Sequence, residues 1–394
     1  MMLGLAGLSL IIWLSLTFAY HGFWRRREFL PDDTDAAMTS WPSVISLTPA
    51  RNEAELIAKS LSSILDQSYQ GSLQSILIDD SSEDDTSIIA KEISESSSRS
   101  DAIDIIQAAE LPQGWSGKIW ALQSGVDYAE KMNSVPDYYW LSDADISHEP
   151  ETLNRLVQWA QKQDLALVSL MVTLNCKGFW ERLIIPAFIY YFQLLYPFHA
   201  VNNAHRSEAG AAGGCILISY NAVQSIGGFH AIKDKLIDDC SLAQVVKAKG
   251  YKIWLGHGTK SLSLRSSPRF SQLSKMVART AFVQLSYSYI RLLFAILGMF
   301  LIYILPVFSF IYGGISQNWL LMSIGALSWG LMAYTYWPTI QAYQLKRFES
   351  FLMPFTASLF MGMTLYSAWL HFRGKHSGWH NRSYGSTDKH THGH

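Results

Sequence analysis

The stretch WLSDADISHEP (residues 140–150) ends an apolar approach abruptly at Asp143 and places a second carboxylate, Asp145, two residues on. Side chains at i and i+2 lie on the same side of an extended chain. Two like charges there repel unless a cation sits between them. Taken alone, the stretch also reads as a turn entering a helix near Pro150 and Glu151.

The chain before it favours the first reading. Residues 43–48 are a short apolar run between Pro42 and Pro49, and 75–78, 103–106 and 138–141 are three more. Between them, Asn52 with Glu55 three residues on reads as a capping box for a helix whose apolar face is Ile57, Leu61, Ile64 and Leu65. Ser82 or Asp84 opens a second helix, residues 94–100 are a polar connection, and 117–131 reads as a third helix. This alternation predicts an α/β fold with a mostly parallel, doubly covered sheet, in which ligands bind beyond the carboxyl ends of the strands. Three strand ends carry polar clusters: PARNE (49–53), DDSSEDDT (79–86) and DAD (143–145). Their convergence on one crevice points to a site. No GxGxxG follows the first strand and no GxxxxGK[ST] is present, so dinucleotide and Walker-type readings are excluded.

The 394 residues carry a formal net charge of −1, which gives no case for nucleic acid as a partner. Cys176, Cys215 and Cys240 lie too far apart for a zinc knuckle and form no disulfide framework, which suits a reducing compartment. Charge is unevenly spread. Residues 1–24 have none before Arg25, Arg26 and Arg27, and 292–345 and 350–370 have none either. A bilayer crossing needs roughly 20 apolar residues. The reading is therefore an N-terminal transmembrane helix over 1–24, an α/β domain over 40–285, about three transmembrane helices over 291–371 and a polar tail over 372–394. A signal peptide is disfavoured because no basic n-region and no A-x-A site are present. The run 292–345 holds two crossings, turning at Gly313-Gly314 and Gln317-Asn318. Arg25 to Arg27, Arg279, Arg291, Lys346 and Arg347 place the domain on the cytoplasmic side of a multi-pass inner-membrane protein. The tail, with Arg373, Lys375, Arg382 and Lys389, conflicts with this after four crossings. Either the tail is an exception or one apolar run is re-entrant.

These residues resemble a membrane-bound family 2 glycosyltransferase with the GT-A fold. PARNE is similar to that family's first-strand nucleotide motif, DDSSEDDT to its DDxSxDxT loop, DAD to its DxD motif and LIDD (236–239) to its acidic motif near the acceptor. A closer likeness is to the hopanoid-biosynthesis-associated glycosyltransferases, HpnB. It is carried by LPQGWSGKIWAL (111–122), LVSLMV (167–172), ERLIIPAF (181–188), LYPF (195–198), AGGC (212–215) and KMVARTAF (275–282). Processive members carry QxxRW, and here Met276-Val-Ala-Arg279-Thr280 has neither Gln nor Trp in place, which disfavours polymer synthesis.

The resemblance implies inverting transfer from a UDP-sugar to a lipid acceptor, a hopanoid or other polyisoprenoid lipid. Mg²⁺ or Mn²⁺ would be shared by Asp143 and Asp145, with Asp145 the firmer ligand, because carboxylate oxygens suit these ions. Asp80, with Asp79 close, would hold the base or ribose. Pro49, Arg51 and Glu53 would flank the nucleotide, Lys118 would meet the diphosphate or ribose, and Arg279 would meet the diphosphate. Asp239 would be the general base beside Asp238. His257, on a Gly-flanked stretch, is a further candidate ligand. Residues 179–199 are either domain core or an interfacial segment admitting the lipid. Two other readings stand beside it: a haloacid-dehalogenase-type phosphatase, since DADIS loosely matches DxDx[TV], and a non-catalytic membrane protein that binds a nucleotide sugar or lipid.

Overall fold

The computed structural model describes residues 1–32, 38, 40–97, 102–132 and 135–374. Lys375, Arg382 and Lys389 of the tail lie outside these residues. The chain opens with the apolar helix α1 (Met2–Phe18). There follow β1 (Val44–Ala50), α2 (Ile57–Leu65), β2 (Leu73–Asp79), α3 (Thr86–Ser96), β3 (Ile103–Gln107), α4 (Gly117–Lys131) and β4 (Tyr138–Ser142). β1 pairs in parallel with β2 and β4, and β2 with β3, so these strands end on one side. Every residue of β1 is buried, as expected of a strand covered on both faces.

The predicted cap at Asn52 is corrected. Asn52 adopts a left-handed conformation (φ 52°), its side chain accepts from the Glu83 N–H, and α2 begins only at Ile57. The polar side chain bridges two strand-end loops, which removes it from capping. The apolar face is as expected: Ile57, Leu61, Ile64 and Leu65 are all buried.

The rest of the domain comprises β5 (Ile146–His148), α5 (Thr152–Gln163), β6 (Leu167–Thr173), α6 (Phe179–Leu195), α7 (Phe198–Val201), β7 (Cys215–Ser219), α8 (Tyr220–Ser225), α9 (Asp238–Ala248) and β8 (Ile253–Ser263). The eight strands run in the order β3-β2-β1-β4-β7-β6-β8-β5. β7 is antiparallel to both of its neighbours, β4 and β6, and β5 is antiparallel to β8. The pairing of β5 with β8 sets Ile146 opposite Ser263. It thereby carries the chain after β8 to the acid pair.

Helices α10 (Phe270–Gln284), α11 (Tyr289–Met299), α12 (Leu305–Ile315), α13 (Trp319–Ala342) and α14 (Met353–Phe372) complete the chain. By length and composition, the stretches Phe179–Val201, Tyr289–Ile315 and Arg347–Phe372 are long and apolar enough to cross a membrane. α12 and α13 form a tight hairpin in which a Cβ on Gly325 would lie 2.5 Å from the Phe310 nitrogen, so only glycine permits this approach. α6 packs into two cores, with Ile189 against the sheet and Ile184 and Tyr190 among the helices.

The stretch Arg347–Phe372 touches α6 near its start and α10 near its end. Near its start, Glu349 pairs with Arg182 on α6 at 2.6 Å. Near its end, Ser367 accepts from the Phe282 N–H of α10 at 3.2 Å and donates to the Ala278 carbonyl, while His371 stacks on Tyr287 at 4.5 Å.

Candidate active site

The ends of β1, β2 and β4 meet α9 and the segment after β8. Asp143 follows the last residue of β4, and Lys118, in the first turn of α4, reaches it at 2.7 Å. The same ammonium lies 3.4 Å from Asp238. Burial opposes the charge on Lys118, but the carboxylates of Asp143, Asp238 and Asp239 outweigh it and hold the group above its ordinary range. For Asp143, burial and the neighbouring Asp145 and Asp238 push the carboxyl upward against the pull of Lys118.

Asp145 has a different cation. Arg265 donates from Nε to Asp145 at 2.8 Å and from a terminal nitrogen to Glu53 at 2.6 Å. The Leu264 N–H donates to the Asp145 carbonyl, so the backbone itself delivers Arg265 to the acid pair. Glu181 braces the following residues, accepting from the Ser266 hydroxyl and the Ser267 N–H. Behind the pair, His148 lies 2.9 Å from both the Ser142 and Ser261 hydroxyls, tying β4 to β8. Burial pulls its imidazole down to about 3, so it is neutral near pH 7.

Asp238 and Asp239 are the first two residues of α9. Asp239 is held by two backbone donors, the Gly213 N–H at 2.8 Å and the Cys240 N–H at 2.7 Å. A Cβ on Gly213 would sit 3.0 Å from the Lys118 ammonium, so a side chain there would require that ammonium to shift by a few tenths of an ångström. Burial, then the charge of Asp238, push the Asp239 carboxyl up to about 6, against the opposing Lys118.

A cavity of about 860 Å³ joins these groups to the helices. Pro49, Glu53, Lys118, Asp143, Asp145 and Asp238 line one end; Arg279 and Lys275 of α10 lie along it; Tyr366 and Leu370 of α14 close the other. Asp239 lines a small inner pocket that shares Pro49, Lys118, Asp143 and Asp238 with this cavity.

The structure separates the remaining residues singled out in the sequence. Arg51 aims its guanidinium at the Asp80 and Ser81 carbonyls and at Glu83, bracing the loop after β2. Asp79 accepts from the Ser82 N–H and from the Ser82 and Ser87 hydroxyls, which organises that loop and the start of α3. Asp80 is fully buried at the end of β2. His257 is corrected as a metal-ligand candidate. It is buried in β8 with its ring between Phe29 and Phe198, at 5.2 and 4.8 Å between centroids. Sequence reasoning missed Arg265 and the role of Gly213. Arg265 stands in no motif, and only the pairing of β5 with β8 brings it to Asp145. Gly213 lies in the AGGC stretch, but its approach to Lys118 depends on how β7 meets α4.

A mostly parallel α/β sheet with paired acids at a strand end, a lysine between acidic groups and a further acid pair opening a helix defines a GT-A-type glycosyltransferase. Glycosyl transferase family 2 matches residues 46–227, and Glycosyl transferase family group 2 matches residues 140–367, more than half of the chain. The chain belongs to this family of enzymes, which transfer sugars from nucleotide sugars. The haloacid-dehalogenase and non-catalytic readings are thereby overturned. Among solved structures, the mannosyltransferase PcManGT from Pyrobaculum calidifontis in complex with GDP-Man and Mn²⁺ is similar over 95% of this chain and 100% of its own, at 16% identity and a TM-score of 0.57. That likeness concerns the fold. S. aureus TarS 1-349 in complex with UDP-GlcNAc is similar over 84% of this chain and 92% of its own, at 12% identity and a TM-score of 0.38. Glucosyl-3-phosphoglycerate synthase of M. tuberculosis is similar over 62% of this chain and 80% of its own, at 17% identity and a TM-score of 0.40. A comparison with curated proteins gave no match.

Proposed function

We propose that this glycosyltransferase moves one sugar from a UDP-sugar to the hydroxyl of a membrane lipid, a hopanoid or other polyisoprenoid, with inversion. The observation that carries the lipid reading is the single cavity that begins at the acid pair and ends between α10 and α14, at Phe282, Tyr366 and Leu370. Phe282, Val283 and Leu370 give that end an apolar surface that suits a lipid, beside the polar Ser367 and His371. The hopanoid assignment draws on the HpnB-like stretches. Purified protein in detergent, given labelled UDP- and GDP-sugars and a hopanoid alcohol, tests it. Label from the UDP-sugar should enter the solvent-extractable lipid; label from GDP-mannose alone would reassign the donor.

The donor set suits a divalent ion. Asp143 and Asp145 offer oxygen ligands, which Mg²⁺ and Mn²⁺ prefer. Among the described residues no group of three or more His, Cys, Asp or Glu is placed to hold a metal, so diphosphate oxygens and water would complete the coordination. When bound, the ion neutralises charge developing on the leaving diphosphate. The protein's own part is to hold that diphosphate near Lys118 and Arg279 and to present Asp239 to the acceptor hydroxyl.

Arg265 occupies Asp145 in the structure and therefore competes with a cation there. Arg265→Ala should tighten Mn²⁺ binding without nucleotide by roughly two- to fivefold, the range expected for a partly exposed ion pair of about 0.5–1 kcal/mol. Paramagnetic resonance of free Mn²⁺ during titration measures this. Unchanged or weaker binding would mean that Arg265 does not guard the acid.

The contacts of both ends of Arg347–Phe372 with α6 and α10 support a non-crossing α14. A 20-residue helix spans about 30 Å, so a crossing α14 would hold one end at the opposite membrane face. With α1, the α11–α12 stretch and α13 as the crossings, Arg373 and the tail return to the side of the catalytic domain, which removes the conflict with the positive-inside pattern. Single cysteines placed at Glu95 and Gly374 should both resist an impermeant reagent on intact cells and both react after permeabilisation. Labelling of Gly374→Cys alone from outside would show that α14 crosses.

A further inference from the structure

A second cavity, of about 570 Å³, lies away from the active site where the chain leaves α1 and passes the C-terminal half of α13. Its wall is Trp24, Arg25, Arg26, Arg27, Tyr334, Pro338, Gln341 and Ala342. Three of these eight residues are arginines and none is acidic. Among the described residues no carboxylate lies within ion-pair distance of any of the three; the nearby acids Glu28 and Asp32 face His199, and Arg155 and Lys260, respectively. The buried Arg26 Nε has no hydrogen-bond partner among the described residues, although such donors are almost always satisfied. Arg25 lies over Trp24 at 5.1 Å, and Trp24 meets Tyr334 at 5.0 Å, so an aromatic floor orients the cations.

A buried donor left unsatisfied, as the Arg26 Nε is, is costly unless an acceptor completes it, and the exposed Arg25 and Arg27 add positive charge on either side of it. Pro338 also lies inside α13, where it removes a backbone donor beside the cluster. The cluster follows an apolar helix directly, and Trp and Tyr are the residues that settle at membrane interfaces. Basic pockets between helices at that level suit anionic head groups.

We infer that this cavity binds the phosphate of an anionic phospholipid, with Arg25, Arg26 and Arg27 as its donors, and so seats the enzyme on an anionic leaflet. The inference rests on the membrane reading of the preceding subsection. The site is remote from the acids and takes no part in sugar transfer. Its ligand is a structural lipid rather than the acceptor.

The test uses the full chain purified in a neutral detergent and native mass spectrometry with added phosphatidylglycerol or phosphatidylcholine. Phosphatidylglycerol should bind at least tenfold more tightly, and the preference should fall as salt rises. Arg26→Gln should weaken it by roughly fivefold, and the triple change to Gln at 25, 26 and 27 should abolish the preference, since each basic residue near an anionic surface contributes roughly that factor. Thermal unfolding and UDP-sugar binding of the variants report whether they fold. Equal binding of the two lipids by the wild-type chain would overturn the inference, and that arm needs no variant. A preference kept in the folded triple variant would overturn it too. Displacement of phosphatidylglycerol by millimolar inorganic phosphate would identify free phosphate as the occupant and reject the lipid. Failure of the membrane reading itself appears separately, as a chain that stays soluble and monodisperse without detergent.

Discussion

Asp239→Asn is expected to fold, to bind UDP-sugar and metal nearly as the wild type does, and to lose roughly 10²–10⁴ in transfer rate. At ~1.4 kcal/mol per decade this is about 3–5 kcal/mol of transition-state stabilisation. The amide keeps the size of the carboxylate but cannot take the acceptor's proton. Two backbone N–H groups orient Asp239, and burial raises its carboxyl to about 6. A base is most effective when its pKa lies near the working pH. Because the ionised form is the base, wild-type transfer should fall as pH drops through about 6 and level off above it; the residual rate of the Asn variant should not follow that profile. The loss should appear in kcat and not in donor affinity. Asp238, paired with Lys118 and facing the wide cavity, should matter less when changed to Asn. Should Asp238→Asn abolish transfer while Asp239→Asn retains it, the residue facing the wide cavity is the base. Transfer assays and donor titrations on both variants settle the assignment.

Removing a metal ligand should have the second large effect. In Asp145→Ala, divalent-dependent UDP binding is expected to weaken by more than the roughly 10–100-fold typical of losing an outer-shell partner. Calorimetry of UDP with Mn²⁺, and again with a chelator, measures it. The variant should bind UDP alike in both conditions, because the ion no longer offsets phosphate–carboxylate repulsion. A wild-type chain whose UDP affinity is unchanged by chelation would refute the shared-metal account. Asp143 differs from Asp145 in that Lys118 lies beside it at 2.7 Å.

Local signals in the sequence were enough for the alternation of strands and helices through β4. Apolar runs of four to six residues mark strands, and the repeat of Ile57, Leu61 and Ile64 marks a helix, because burial periodicity depends only on nearby residues. The same locality made Asp143, Asp145, Asp238 and Asp239 visible as pairs. It misread Asn52, whose side chain met a loop some 30 positions away in place of the nearest helix. It also offered His257 as a ligand, because a histidine beside glycines looks exposed until Phe29 and Phe198 close over it.

Only the tertiary structure decided which cation meets which acid. Arg265 is 120 residues from Asp145 in the chain, and strand pairing of β5 with β8 joins them. Lys118 is legible as the opening of a helix, but its place between Asp143 and Asp238 depends on α4 and α9 converging at the end of β4. Arg51 and Asp79 look like ligand-binding groups in a motif, and the hydrogen bonds by which they also organise the loop after β2 appear only in the folded chain. The contacts of α14 are of the same kind: its lack of charge measures how apolar it is, whereas the meeting of Ser367 with α10, and of Glu349 just before α14 with α6, exists only in the folded chain. Composition and periodicity are properties of neighbouring residues; ion pairs, cavities and the path of a helix through or along a membrane are properties of residues that meet only after the sheet has closed.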